Sequence, residues 1–244
     1  MDTQNKLLVE VWSDVVCPFC YIGKRNYEKA LAQFQFAEDL ILEFKSYQLD
    51  PNFVRDDSVE QPSYKERLAA KYGRPISEIE IMIQNMTQMA QAAGLEYHLE
   101  KAKNFNTFQA HRVAQLAKEK DLGDAMEEAL FEGYFIKGKD FGDTQVLTQE
   151  ALKVGLIHED IQRALTEDEY GYRVRQDIHE AANLGISGVP FFVFNRKYGV
   201  SGAQPVEVFL ETMKVSHQDW TQAHPQKIQI VSQGKSCDTN GNCN

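Results

Sequence analysis

Apolar positions change their spacing several times along the chain, and each change predicts a different element. Residues 7–13 and 40–49 are short apolar runs typical of buried strands. Between them, from Cys17 to about Gln35, the apolar residues recur at helical spacing. This order predicts a β-α-β unit, whose strands are parallel and joined by a right-handed crossover.

The middle of the chain, residues 63–165, is almost wholly helical in pattern. The segment before it, residues 51–62, is polar and rich in turn residues, so we place a boundary at residue 62. Met82, Met86 and Met89 recur at helical spacing inside this block. Such a stripe is typical of core packing, and its alternative role is to line a soft peptide groove.

The chain returns to mixed elements after residue 165. We predict a helix at residues 168–184, strands at 191–194 and 198–203 joined by a hairpin-like turn, and a last helix from Pro205 to about Val215. Without the helical block, this is the element order of thioredoxin. We therefore predict an α/β, thioredoxin-like domain formed by residues 1–62 and 166–215, with residues 63–165 as a large all-helical insertion. The polar residues 216–244 predict a flexible C-terminal tail with a short strand at 228–231.

Composition narrows the class of protein. The 244 residues, 43% hydrophobic, suffice for a sizeable core. The net charge of −10, without a basic stripe, argues against nucleic acid or an anionic membrane as partner. The beginning of the chain lacks the apolar core of a signal peptide, and no run approaches the roughly 20 apolar residues of a membrane span. We therefore expect a cytoplasmic protein.

The four cysteines form two close pairs, Cys17/Cys20 and Cys237/Cys243. The run Cys17-Pro18-Phe19-Cys20 follows a predicted strand and opens a predicted helix. Unpaired N–H groups and the helix dipole at that end favour the thiolate, which is the attacking species in disulfide exchange. The spacing places Cys20 one turn deeper on the same face. This predicts Cys17 as the nucleophile and Cys20 as the resolving thiol.

Other roles for this cysteine pair remain open. Half of a zinc site would need two further ligands, and the nearest cysteines in sequence are Cys237 and Cys243. A structural disulfide is disfavoured in a reducing compartment. A non-catalytic module that binds a partner protein is a further alternative. We predict no metal site and no cofactor, since the cysteines themselves carry the electrons.

A second candidate feature is Gly188-Val189-Pro190, which leads into an apolar strand. Proline at such a position is a candidate cis-proline, the alternative being an ordinary proline at a strand edge. A cis bond would turn the Val189 N–H and C=O towards an extended substrate backbone. Pro18, Phe19, Gly188 and Val189 are therefore the predicted substrate-binding residues.

Two titratable residues, Asp14 and His111, are candidate supporting groups. Asp14 lies three residues before Cys17 and would relay a proton to or from Cys20, or act as a simple turn residue. His111 lies in the helical block, where it is a core histidine or faces the cysteine site. The pair Glu127-Glu128 has the pattern of a solvated face.

These motifs resemble the DsbA-like thioredoxin-fold oxidoreductases, and within them the FrnE type. The resemblance spans roughly residues 7–215, and the segments that carry it are 13–24 (SDVVCPFCYIGK), 106–112 (NTFQAHR), 188–192 (GVPFF) and 201–204 (SGAQ). It implies disulfide exchange on protein thiols and disulfides, with Cys17, Cys20 and Pro190 in the catalytic positions. Thioredoxin or glutathione would be the electron partner.

The sequence departs from the DsbA pattern at one position, and the shared fold leaves one alternative function open. DsbA, a strong oxidant, carries His at the position of Phe19, and a phenyl ring cannot donate a hydrogen bond to a thiolate. We therefore predict a less oxidising couple here. The same fold serves glutathione-dependent isomerases and kappa-class transferases, which act through one Ser or Cys and make glutathione a candidate co-substrate. The second thiol, Cys20, favours the oxidoreductase.

The second pair, Cys237 and Cys243, frames five residues that include Asn240-Gly241. This spacing allows a small, labile disulfide loop. FrnE-like proteins carry such a tail pair, which implies a second redox pair that exchanges electrons with Cys17/Cys20. The alternative is an inert tail with two free thiols.

Overall fold

A computed structural model describes residues 6–56 and 58–224 of the chain. The strands within them are β1 (Leu7–Ser13), β2 (Leu40–Ser46), β3 (Phe191–Phe194) and β4 (Tyr198–Ser201). The helices are α1 (Pro18–Leu31), α2 (Tyr64–Tyr72), α3 (Ile76–Ala93), α4 (Phe108–Glu119), α5 (Gly123–Phe131), α6 (Thr144–Val154), α7 (His158–Thr166), α8 (Asp168–Asn183) and α9 (Val206–Ala223). A π-helical turn, Glu132–Ile136, continues α5. This architecture confirms the predicted α/β fold of thioredoxin type with its helical insertion.

The four strands form one sheet in the order β2-β1-β3-β4. β1 pairs with β2 in parallel, in a register that runs from Leu7 opposite Leu40 to Ser13 opposite Ser46. β3 is antiparallel to both β1 and β4. The predicted parallel β-α-β unit is therefore confirmed, and the cysteine run leaves the sheet at the carboxyl end of β1.

Helix α1 lies between two apolar cores. One of its faces packs on the sheet and α9, where the ring of Tyr27 stacks on Phe192 with centroids 5.7 Å apart. The other face carries Cys20 and Tyr21, and the Tyr21 ring stacks on Phe131 of α5 at 5.1 Å. The cysteines thus belong to the same core as the insertion, so the helical block and the redox helix support each other.

The end of the last helix differs from the prediction. We expected α9 to stop near Val215 and a flexible tail to begin at residue 216, but α9 continues to Ala223. Its extra turns are held by polar contacts. The Ser216 hydroxyl donates to the Thr212 carbonyl at 2.7 Å, and the His217 ring pairs with Asp39 at 2.8 Å. The predicted strand at 228–231 and the pair Cys237/Cys243 lie outside the described residues.

Helix α1 is joined to α5 by a charged cluster around Lys24. The Lys24 side chain is 2% exposed, and its ammonium group lies 3.0 Å from Asp124 and 3.2 Å from Glu128, and beside Glu28. Burial opposes the charged form, but the hydrogen bond to Glu28 and the attraction of the carboxylates outweigh it and raise the pKa of Lys24. The buried ammonium therefore holds three carboxylates together at this joint.

Replacing Lys24 by alanine is expected to lower the free energy of unfolding by about 2 kcal/mol. This loss is smaller than that of a fully buried pair, because the remaining carboxylates are between 33% and 65% exposed. Urea denaturation would measure it. Lys153→Ala is the matched control, since that lysine pairs with Glu150 but is 66% exposed, and it should change stability by less than about 0.5 kcal/mol. Equal losses in both variants would contradict the role of the Lys24 cluster.

Candidate active site

Cys17 is the N-cap residue of α1, with an extended backbone at φ −88° and ψ 109°. Its N–H donates to the Asp14 carbonyl at 2.9 Å, and its own carbonyl accepts from the Cys20 N–H at 3.0 Å. Pro18 occupies the start of the helix, where its missing N–H costs nothing. Both cysteines are free thiols, Cys17 being 3% and Cys20 2% exposed. The local chain thus presents two sulfur atoms at the positive end of a helix.

The segment before β3 completes this arrangement. The Val189–Pro190 peptide bond is cis, as predicted for this proline. The Cys17 thiol donates to the Val189 carbonyl at 3.4 Å. Pro190 packs closely on α1 at Gly23, where an added Cβ would lie 3.1 Å from the proline ring. Glycine at this position therefore allows the proline segment and the redox helix to meet.

A largely apolar cavity of about 730 Å³ opens beside Cys17. The predicted substrate-binding residues Pro18, Phe19 and Val189 line it, whereas Gly188 is an exposed neighbour. Met82 and Met86 of the insertion also line it, so part of the methionine stripe faces this groove. Although nearly all of its surface is buried, Cys17 borders a space large enough for a peptide segment.

Helix α2 forms one wall of the cavity and has no fully buried residue. Its first turn is closed by a capping box, in which the Ser63 hydroxyl accepts from the Glu66 N–H and the Glu66 carboxylate accepts from the Ser63 N–H at 2.8 Å. Its last turn ends at Gly73, which has a left-handed backbone. Local capping, more than core burial, therefore stabilises this wall.

Three tyrosines from the insertion lie around the cysteines, and no sequence pattern pointed to them. The Tyr97 hydroxyl donates to the Pro18 carbonyl at 2.7 Å. Burial raises the pKa of Tyr64 and of Tyr97, and raises that of Tyr134 to about 12. All three therefore remain neutral phenols. Tyr97 lies in an irregular segment between helices, where no motif or periodicity could single it out.

The surroundings of Cys20 disfavour the thiolate form of its side chain. Burial raises the pKa of Cys20 well above its ordinary value, and the neighbouring Cys17 raises it further. The Ser13 hydroxyl and the backbone at Asp14 oppose this shift only in part. Cys20 therefore remains a protonated thiol at neutral pH until a disulfide forms beside it.

The structure brings Asp14 and His111 together. The Asp14 carboxylate accepts from the Leu49 N–H at 2.8 Å, and its other oxygen lies 3.3 Å from the His111 ring nitrogen Nε2. Burial alone would lower the pKa of His111, but the hydrogen bond to Asp14 and that carboxylate's charge raise it. Both residues are 1% exposed, so this pair is part of the core beneath the cavity.

Glu127 corrects a second prediction. We expected Glu127 and Glu128 to form a solvated face, but Glu127 is 4% exposed and only Glu128 points outwards, towards Arg25. Adjacent residues on a helix point about 100° apart, so one member of an acidic pair can face the core. Burial raises the pKa of Glu127 to about 7, against the lowering effect of His111.

Two properties of the described residues bear on other functions. Among residues 6–56 and 58–224, no group of three or more His, Cys, Asp or Glu side chains is placed to hold a metal ion. In the same residues, no helix has both the length and the apolar character needed to cross a membrane.

Comparison with known proteins agrees with this geometry. The family model of the DSBA-like thioredoxin domain matches residues 8–214. A solved structure of a probable DsbA oxidoreductase from Streptomyces coelicolor is 36% identical, covers 98% of each chain and superposes with a TM-score of 0.78. YwbO, an uncharacterized protein of Bacillus subtilis, is 28% identical over 211 residues, which are 82% of this chain and 92% of YwbO. The cytosolic disulfide reductase DsbM from Pseudomonas aeruginosa, solved with GSH, shares the fold at 15% identity, with a TM-score of 0.60 over 87% of this chain and all of DsbM.

Proposed function

Because this chain belongs to the DsbA-like thioredoxin domain family, we propose that it is a protein thiol–disulfide oxidoreductase, or isomerase, that acts through Cys17 and Cys20. One observation carries the proposal. The Cys17 sulfur lies at the positive end of α1, 3.4 Å from the Val189 carbonyl, beside a peptide-sized cavity. The FrnE-type motifs described above support assignment to that subfamily.

In the reducing direction, the Cys17 thiolate attacks one sulfur of a substrate disulfide. A bond forms between Cys17 and that sulfur, and the other substrate sulfur leaves with the electron pair and takes a proton from solvent. Cys20 then loses its proton and attacks the Cys17 sulfur. The substrate sulfur leaves, and the protein keeps a Cys17–Cys20 disulfide after giving two electrons. Oxidation of a substrate dithiol is the reverse sequence, and the surrounding redox poise selects the direction.

The backbone at Val189 is the proposed site where an extended substrate strand adds. Its carbonyl already accepts the Cys17 thiol hydrogen, so a substrate bound there would place its sulfur next to Cys17. Phe19, which is 38% exposed, supplies an apolar surface on the cavity side for the neighbouring substrate side chain.

The proposal is tested by the reduction of insulin and by the reactivation of scrambled ribonuclease. The protein should accelerate at least one of the two reactions in a glutathione buffer, and alkylation of its thiols should abolish the effect. Absence of any acceleration in both assays would contradict the proposal. Comparison of the two rates then separates net reduction from isomerisation.

Replacing Phe19 by histidine is expected to make the Cys17/Cys20 couple more oxidising by a few tens of millivolts. The imidazole can donate a hydrogen bond to the Cys17 thiolate and so stabilise the reduced form. One charge-assisted hydrogen bond contributes about 1.5 kcal/mol, and about 30 mV corresponds to 1.4 kcal/mol. Equilibration with glutathione buffers measures the potential. Phe19→Leu is the control and should stay close to wild type, while an unchanged potential in Phe19→His would contradict the argument.

We also propose that Cys237 and Cys243 form a second redox pair that passes electrons to or from Cys17/Cys20. Helix α9 ends at Ala223, so Cys237 lies thirteen positions beyond the next residue, His224. An extended segment of that length spans up to about 45 Å, more than the roughly 23 Å of a seven-residue strand such as β1. Mass spectrometry of Cys20→Ser and Cys243→Ser variants should detect a Cys17–tail disulfide, and its absence in both would contradict the exchange.

Glutathione and thioredoxin are the proposed electron partners, in the cytoplasm. The alternative, a glutathione-dependent isomerase or transferase, needs one thiol and not two. Glutathione turnover that persists in full after Cys20→Ser would favour that alternative, whereas its loss favours the dithiol mechanism proposed here.

A further inference from the structure

Two basic side chains of α2 line the cavity beside Cys17. Arg67 and Lys71 lie four positions apart, so they share the face of the helix that borders this space. Among the described residues, neither side chain has a carboxylate oxygen within 4.0 Å of its charged nitrogen atoms. The cavity therefore contains two positive charges that are not neutralised by an ion pair.

The basic residues on either side of this pair are arranged differently. Lys65 does not line the cavity and pairs with Glu80 at 2.9 Å. Arg74, just beyond the end of α2, also lies outside the cavity and approaches Glu78 at 3.8 Å. The unpaired cations of this region are thus the two on the side of the redox centre.

Arg67 is held in a half-buried position by contacts that leave its charge uncompensated. Its guanidinium carbon lies 5.3 Å over the Tyr64 ring, and Nη2 donates to the Ala102 carbonyl at 3.1 Å. Within the described part of the chain, Nε is enclosed without a hydrogen-bond partner. Because a half-buried charge is screened by solvent less than an exposed one, this cation can attract an anion strongly.

The Tyr64 ring relates Arg67 to the reacting sulfur. Burial raises the pKa of Tyr64 most strongly, the charge of Cys17 raises it further, and the charge of Arg67 lowers it. The guanidinium and the Cys17 sulfur therefore lie within electrostatic range of the same phenol. A substrate whose sulfur reaches Cys17 brings its neighbouring side chains towards Arg67.

Two carboxylates of the same cavity compensate this charge only weakly. Glu66 is exposed, and its carboxylate is engaged in the capping box with Ser63. Asp50, in the segment after β2, is also exposed, so solvent screens its charge. The least screened charge in the lining is the positive charge of Arg67.

We propose that Arg67, assisted by Lys71, binds a carboxylate that flanks the reacting cysteine of the substrate, so that this protein prefers client polypeptides with Glu or Asp beside that cysteine. The inference rests on the proposed function and deepens it by naming a class of substrate. Arginine suits the role, because its planar donors match the two oxygens of a carboxylate. The apolar lining of the cavity, which includes Phe19 and Met82, remains available to the rest of the client segment.

Three disulfide-linked peptide dimers test the preference. The peptides are capped at both ends and differ only in the residues on either side of their cysteine, which are glutamate, glutamine or lysine. Attack by the reduced protein forms a bond between Cys17 and one peptide sulfur, and the other sulfur leaves with the electron pair and takes a proton from solvent. The second-order rate of this release is measured by acid quenching and chromatography. Each rate is divided by that of a small free thiol with the same dimer, which removes differences in intrinsic reactivity.

Wild type should react about tenfold faster with the glutamate dimer than with the glutamine dimer, and slowest with the lysine dimer. This order is opposite to the effect of the net charge of −10, which repels anionic peptides as a whole. The preference should weaken as ionic strength rises, because salt screens the interaction between the carboxylate and Arg67.

Four variants locate the preference. Arg67→Gln should reduce it to about twofold or less, while the rate with the glutamine dimer stays close to wild type, and Arg67→Lys should keep most of it. Lys71→Gln, at an exposed position, should reduce it about twofold to threefold. Arg74→Gln is the matched control and should leave it unchanged. Circular dichroism verifies the fold of each variant, and Lys71→Gln decides the test if Arg67→Gln does not fold.

The outcomes separate this inference from the proposed function. Equal corrected rates for the glutamate and glutamine dimers in wild type, or an unchanged preference in folded Arg67→Gln, would overturn the inference and leave the oxidoreductase intact. Equal slowing of all three dimers in Arg67→Gln would overturn it too, because the side chain would then act on Cys17 and not on the substrate. An equal loss of preference in Arg74→Gln would do the same. If wild type reacts with none of the dimers, the proposed function fails as well.

Discussion

Replacing Cys17 by serine is expected to lower the rate of insulin reduction by about a thousandfold or more, to the background of the buffer thiols. A serine hydroxyl is not ionised at neutral pH, so the helix end at Cys17 would have no anionic nucleophile to stabilise. Cys20 cannot replace it, because burial keeps that thiol protonated and away from the cavity wall. Initial rates at several enzyme concentrations measure the loss.

Cys20→Ser is the matched comparison, and it should fail in a different way. Cys17 would still attack, but the mixed disulfide would persist and accumulate as a covalent adduct visible by mass spectrometry. Substrate release would then depend on an added thiol. Retention of activity in Cys17→Ser, or adducts on Cys20 in that variant, would reverse the assigned roles.

Replacing Phe131 by alanine is expected to lower the free energy of unfolding by about 3–5 kcal/mol. The Phe131 ring is fully buried and stacks on Tyr21 of α1 at 5.1 Å. Its removal leaves a cavity between the redox helix and the insertion. Since the two parts share one core, the whole chain should unfold at lower urea concentration in a single transition.

The tryptophans make this prediction easy to examine. Trp12 and Trp220, the two tryptophans of the chain, both lie outside residues 63–165, so their fluorescence reports on the thioredoxin-like part. Far-ultraviolet circular dichroism reports mainly on the helices. The two signals should move together in Phe131→Ala. Leu152→Ala, at a side chain 43% exposed in the insertion, should cost less than about 0.5 kcal/mol. Loss of helical signal with unchanged fluorescence would contradict the shared core.

The sequence predicted those features that depend on neighbouring residues. The apolar run of β1, the position of Cys17 at a helix start and the proline before β3 are all local patterns, and each lies where we expected it. The parallel pairing of β1 with β2 followed from the helix between them. Local spacing and the rules of strand connection were enough to place the two cysteines at one end of the sheet.

Features that depend on distant contacts were missed. Tyr97 and Pro18 are 79 positions apart, and no property of either residue predicts that the phenol meets that carbonyl. Glu127 looked solvated because carboxylates usually are, and the buried histidine that faces it comes from another helix. The length of α9 was underestimated for a similar reason, since the buried Ser216 and His217 count as surface residues in any apolar pattern.

The weakly buried helix α2 has a consequence for how related proteins could diverge. Under the proposed function, exchanges of its exposed cavity-lining side chains, such as Lys71 and Tyr72, would change which client proteins fit, yet would cost little folding free energy because these side chains are exposed. The two cysteines, in contrast, lie at a buried strand–helix junction, where Cys17 is 3% and Cys20 2% exposed. Selection can therefore adjust the client repertoire and the redox centre separately within one compact body.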